Sequence, residues 1–171
     1  MTSIKNLNFT QRFFQRGLTR KECIESWPRR RASFLAQVNK VQKLELLYDC
    51  CSSLNETHRI AILYSTVSLD SFFVLPYVLE TLKNVRNISA RYFGYEYFFP
   101  FFHGYVARLF PCILILDQQG NVVGDWIPRG HCLGEEHAAV WDDEQLSQYA
   151  IRNYPANLDL ELVAFFGKKL V

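Results

Sequence analysis

Residues 60–76 read IAILYSTVSLDSFFVLP, and the fold follows from how this stretch divides. Ile60 to Leu63 is an unbroken apolar run, the pattern of a strand buried on both faces. Ser65 to Ser71 is a small, polar turn. An apolar helical pattern then starts near Ser68 and carries Pro76 in its first turns. A helix start leaves N–H groups without intrahelical partners and presents the positive end of the helix dipole. Ser68-Leu69-Asp70-Ser71 occupies that position, and Ser68 and Asp70 are residue types that cap helices well.

Working outward, the strand is expected over His58 to Thr66. The following helix places Phe72, Leu75, Leu79 and Leu82 on one side and ends near Asn84. Upstream, Thr19-Arg20-Lys21-Glu22 has the form of a capping box, which predicts a short helix from Arg20 to Ser26, ended by Trp27-Pro28. From Phe34 the apolar residues recur at Val38, Val41, Leu44, Leu47 or Tyr48, and Cys51, a helical spacing with one buried face. Downstream, Asn87 to Phe93 reads as a second strand and Gly104 to Leu109 as a short helix. Pro111 to Leu116 is a buried strand. Asp117 to Asn121 is a turn with Gly120 available for positive φ, and Val122 to Ile127 completes a hairpin. Residues 134–153 read as helix, stopped at Pro155, and Leu158 to Val171 as a last amphipathic segment.

The order after the N-terminal helices is β-α-β-α-β-β-α. The β-α-β start demands a parallel pair, and the hairpin adds an antiparallel one. The expected fold class is therefore α/β, a mixed four-stranded sheet with helices on both faces. The expected organisation is an N-terminal helical extension over 1–32, a main domain over 33–155 and a packed C-terminal segment over 156–171.

Charge is unevenly placed. Residues 1–31 hold eight Lys/Arg against two Asp/Glu, whereas the remainder holds eleven against fifteen. A basic front on a mildly acidic body can bind an anionic partner or dock on the body itself. The five cysteines (Cys23, Cys50, Cys51, Cys112 and Cys132) form no C-x-x-C. With no signal-peptide pattern at the start, they point to the reducing cytoplasm. No run reaches membrane-spanning length, since Asp70 and Pro76 interrupt the best candidate.

These elements resemble the thioredoxin superfamily, and within it a bacterial branch with extra N-terminal helices. The strand IAILYST leads into a turn where Ser68 and Ser71 stand at the two cysteine positions of C-x-x-C. Pro76 lies five residues after the second position, where the family has its helix-kinking proline. Phe110-Pro111 opens a strand at the place of the family's cis-proline, and LDQQGNVVGDW matches its last two strands. The resemblance implies a groove beside Pro111 that holds an extended partner chain by backbone hydrogen bonds. It also implies an activity this chain lacks the groups for. The family's thiolate attacks a disulfide and a second thiol resolves it, and no cysteine lies between Cys51 and Cys112.

The expected function is thus a redox-inactive binding or adaptor module with a protein or peptide partner, without cofactor or metal. Its binding residues would be Ser68, Asp70, Phe110, Pro111, Tyr95, Tyr97, Phe98 and Phe99. The alternative is a thiol-dependent enzyme in which Cys112, next to Pro111, is the single nucleophile. A serine nucleophile at Ser68 would need a base, for which His103 is the candidate, and the G-x-S-x-G elbow is absent. His131, Cys132 and His137, with Glu135 and Glu136 between, do not have the paired spacing of a zinc site. In the Cys50-Cys51 pair one thiol is expected buried and one exposed. Tyr92 to Tyr105 holds nine aromatics in fourteen residues, more than one short segment readily buries. It carries too little positive charge for a nucleic-acid reader.

Overall fold

The computed structural model describes residues 6–102, 110–128 and 142–170. Among the described residues four helices precede the first strand: α1 (Gln11–Arg16), α2 (Arg20–Glu25), α3 (Arg31–Lys40) and α4 (Glu45–Ser52). Then come β1 (His58–Tyr64), α5 (Leu69–Leu82), β2 (Ile88–Gly94), α6 (Phe99–Phe102), β3 (Cys112–Leu116), β4 (Val122–Trp126) and α7 (Asp143–Leu170). The sheet is mixed and four-stranded, in the order β2-β1-β3-β4. β1 and β2 run parallel, with Ile62 opposite Tyr92, and β1/β3 and β3/β4 are antiparallel. The 117–121 turn closes on Gly120 at φ 86°. Among the described residues no helix is long and apolar enough to cross a membrane.

Side-chain alternation along β1 separates two cores. Ile60, Ile62 and Tyr64 face α5, with α3, α4 and α7 around it. Ala61 and Leu63 face the opposite way, onto a cluster with Leu114, Leu116, Phe93, Phe102, Phe9 and Phe14. The N-terminal residues therefore supply both cores. Phe9 and Phe14 cover one face, while Cys23, Ile24 and Trp27 join the other. The backbone follows suit: Leu18 exchanges two hydrogen bonds with Tyr92 on edge strand β2, and Phe9 N–H donates to the Gly120 carbonyl at 2.7 Å. A Cβ at Gly120 would lie 2.1 Å from the Phe9 carbonyl oxygen, so position 120 requires glycine for space as well as for φ.

Three features differ from the sequence expectation. First, α5 is buried on every side rather than on one. Its outer face, including Phe72, is covered by Trp27 and Phe34. Second, the helical spacing from Phe34 to Cys51 is split into α3 and α4 at residues 41–44, where Val41 is extended. Partners distant in sequence hold the break. The Leu44 N–H donates to Thr81 Oγ1 at 2.9 Å, and the N–H groups of Leu46 and Leu47 donate to the Asp159 carboxylate at 3.0 and 2.8 Å. Third, Pro155 does not stop the last helix; it lies inside α7. The proline removes one ladder bond, but Leu158, Leu162 and Phe166, spaced by four, are buried along the same face. Burial of three such side chains, at roughly 1.5–3 kcal/mol each, outweighs that loss.

Thr81 is fully buried and its hydroxyl also donates to the Tyr77 carbonyl at 2.7 Å. Thr81→Val keeps the shape and leaves the Leu44 N–H without an acceptor. It is expected to destabilise the fold by about 1–3 kcal/mol in urea denaturation, with Thr81→Ser much milder.

Candidate functional site

The turn between β1 and α5 is fixed by its own side chains. Ser68 is the N-cap of α5, with extended backbone and a side chain that accepts from Ser71 N–H at 3.2 Å. Ser71, fully buried, accepts the Ser65 N–H on its hydroxyl at 3.2 Å. Ser65 Oγ and Thr66 N–H both donate to Glu96 Oε1, at 2.5 and 3.1 Å. Glu96 is the acidic residue of the aromatic run, and it ties the loop after β2 to the turn after β1.

Ser68 reaches one partner from another part of the chain. Its hydroxyl donates at 3.3 Å to the Phe110 carbonyl, the carbonyl of the Phe110–Pro111 peptide bond, which is cis. Tyr95 packs its ring 5.3 Å from that of Phe110 and 5.5 Å, edge on, from Phe99. Ser68, Phe110, Pro111, Tyr95 and Phe99 thus lie on connected ground, and Asp70 is buried in the first turn of α5. The aromatic run divides in two. Tyr97 and Phe99 are 55% and 47% exposed. Tyr92, Phe93 and Phe102 are buried, and Phe98 turns inward, 5.0 Å from Phe93 and 6.0 Å from Phe13. Phe93, Phe98, Phe101 and Phe102 belong to the core shared with Phe9 and Phe13, whereas Tyr92 joins the core on the α5 face. His103 and the His131, Cys132, Glu135, Glu136, His137 group lie outside the described residues, as does the helix expected at 104–109.

The N-terminal segment borders this site, which the sequence reading does not foresee. The Tyr97 hydroxyl donates to the Ser26 carbonyl at 2.7 Å, and the Ser26 and Tyr64 hydroxyls are 2.6 Å apart. Arg30 lies over the Phe72 ring at 5.7 Å.

The Ser68 hydroxyl donates to a carbonyl and accepts from a backbone amide, which is capping chemistry rather than the base-paired geometry of a nucleophile. Cys112 is fully buried in the core, and that burial pushes its thiol up to about 12, with the charge of Asp125 adding to the effect. A thiol so raised is protonated at neutral pH, whereas a thiol nucleophile acts as its thiolate. The vicinal pair splits: Cys51 is buried and raised to about 12 by burial, while Cys50 is half-buried and raised by a smaller desolvation. In a Cys132→Ser background, iodoacetamide under native conditions is expected to label Cys50 first and to leave Cys112, Cys51 and Cys23 unmodified. Peptide mass mapping reads the result, and rapid labelling of Cys112 would restore it as a nucleophile.

No family model matches the chain, and no curated protein matches it. Two solved structures are similar over nearly its whole length. A Pseudomonas aeruginosa protein of unknown function is 13% identical, with a TM-score of 0.52 over 98% of this chain and 99% of its own. An HIV epitope-scaffold is 12% identical, with a TM-score of 0.52 over 96% of each chain. At that identity the likeness shows the fold alone, and its extent includes the N-terminal helices.

Proposed function

We propose that this chain is a thioredoxin-like protein without the redox-active cysteine pair, acting as a binding or adaptor module. Its partner is an extended protein or peptide segment held in the groove beside Pro111. The observation that carries this reading is the Ser68–Phe110 hydrogen bond. It joins the start of α5, where the family has its first cysteine, to the segment preceding β3. The mixed sheet order and the α/β layering agree with such an arrangement. Serine at 68 and 71 removes disulfide exchange and leaves the surface intact, with Tyr97 and Phe99 exposed beside it for apolar contact.

Two measurements test this. Insulin reduction with dithiothreitol as electron source is expected to match a protein-free control; turnover above it would overturn the redox-inactive reading. The Ser68→Cys, Ser71→Cys double variant is expected to form a disulfide countable by free-thiol titration. For binding, random peptides displayed on phage are selected on the protein, with a Ser68→Trp variant as counter-target. Peptides retained by the former and lost by the latter are expected. Failure to enrich any such peptide would leave the groove without a role in binding.

A further inference from the structure

The α2–α3 junction carries Arg29, Arg30 and Arg31, all exposed. Local electrostatics oppose their placement. Arg30 is the N-cap of α3 and Arg31 its first residue; the cap makes no side-chain hydrogen bond, and the first turn holds no acidic residue. Three cations therefore crowd the positive end of a helix, where a negative charge is the favoured occupant. By contrast, α1, α2 and α5 are capped by Thr10, Thr19 and Ser68. Among the described residues the ridge meets one carboxylate, Glu25, 3.9 Å from Arg31 with both side chains well exposed, an interaction worth little. The Glu96 carboxylate, next in sequence to Tyr97, is occupied by Ser65 and Thr66.

The ridge is held firmly. Trp27, two residues before Arg29, is 1% exposed and stacked on Phe34 at 4.1 Å. Arg30 rests over Phe72, whose N–H bonds to the Ser68 carbonyl, and Ser26 is bonded to Tyr97. One end of the junction thus touches the exposed aromatic loop and the other the first turn of α5.

We propose that Arg29, Arg30 and Arg31 dock the acidic end of the polypeptide segment whose apolar part occupies the Ser68–Phe110 groove. The inference rests on the reading of that groove as a peptide site and adds the charge of the partner. Three guanidiniums in a short ridge match a short run of Asp or Glu, each able to take a carboxylate bidentately. A nucleic-acid surface spreads more cations along a longer track.

Fluorescence anisotropy with labelled synthetic peptides tests this. One peptide joins a run of glutamates to an apolar aromatic stretch, and a second has glutamine in place of each glutamate. At low salt the glutamate peptide is expected to bind about tenfold tighter, the summed effect of three exposed ion pairs, and the gap is expected to close as salt rises. The triple variant Arg29→Ser, Arg30→Ser, Arg31→Ser should abolish the gap and keep the affinity for the glutamine peptide. The corresponding triple lysine variant should keep most of the gap. Equal binding of the two peptides, or a gap that survives the serine variant, overturns the proposal. So does tighter, arginine-dependent binding of an oligothymidylate of equal charge. Ser68→Trp separates the two readings. It should weaken both peptides and leave the gap; a gap with no effect of Ser68→Trp supports the ridge and removes the groove.

Discussion

Raising the pH from 9 to 12 is expected to unfold this protein. Cys51 and Cys112 are raised by burial from 9.0 to about 12, and Tyr77 from 10.0 to about 12. Cys23, Tyr64 and Tyr92 are moved up further, again by burial first. In the unfolded chain these thiols and phenols ionise near their ordinary values, whereas the folded chain keeps them protonated. Between the two values the native state binds more protons, so stability falls as pH rises. Below pH 9 the stabilisation is fully present; it drains away as pH climbs toward 12. Six buried groups act in the same direction, against a net stability of a domain of only roughly 5–15 kcal/mol. Urea denaturation followed by circular dichroism should show a plateau to pH 8.5 and a steep fall above pH 9, with tyrosinate absorbance rising in step with unfolding. Cys112→Ala should start from lower stability and fall less steeply. A plateau reaching pH 11 would mean that these groups are far less shielded than the structure shows.

The second large effect concerns Trp27. Its ring stacks on Phe34, lies 6.0 Å from Tyr64 and meets Phe72 edge on at 5.9 Å. It is the wedge between the N-terminal helices and the sheet-bound helix α5. Trp27→Ala is expected to cost about 3–5 kcal/mol, the range for deleting a large buried aromatic. Its indole N–H is buried without a hydrogen-bond partner among the described residues, so the polar handle contributes nothing favourable. Trp27→Phe should therefore be much milder than Trp27→Ala. Comparable losses for both variants in urea denaturation would show that the indole N–H is satisfied in solution. Since Phe9 and Phe14 anchor the chain upstream of Trp27, deletion of residues 1–31 should yield an insoluble or unfolded product rather than a stable fragment.

The legibility of these elements in the sequence tracks how local their causes are. The β1 strand, the turn at Ser68, the capping box at Thr19 and Glu22 and the glycine turn at 120 all depend on neighbours a few residues away. The break between α3 and α4 depends on Thr81, 37 residues from Leu44, and on Asp159, 112 residues from Leu47. No window of helical periodicity contains either. Pro155 misleads for a similar reason, since the burial that carries α7 past it comes from tertiary packing. At the site, the spacing of Ser68 and Phe110 is readable only through resemblance. The aromatic excess of 92–102 becomes intelligible once Phe9 and Phe13 are seen packed beneath the sheet. Glu96 had a visible signal as an isolated charge among aromatics, Arg30 had one as part of the basic front, and Ser26 had none.

Asp159 also sets an order of events on the ribosome. Domains tend to form as the chain emerges, N-terminal parts first, and α4 is made long before α7. Until synthesis has passed Asp159, the N–H groups of Leu46 and Leu47 in the first turn of α4 have only water for a partner, and an isolated helix of eight residues is marginal in water. An early segment thus waits for a residue 112 positions further along the chain to complete it.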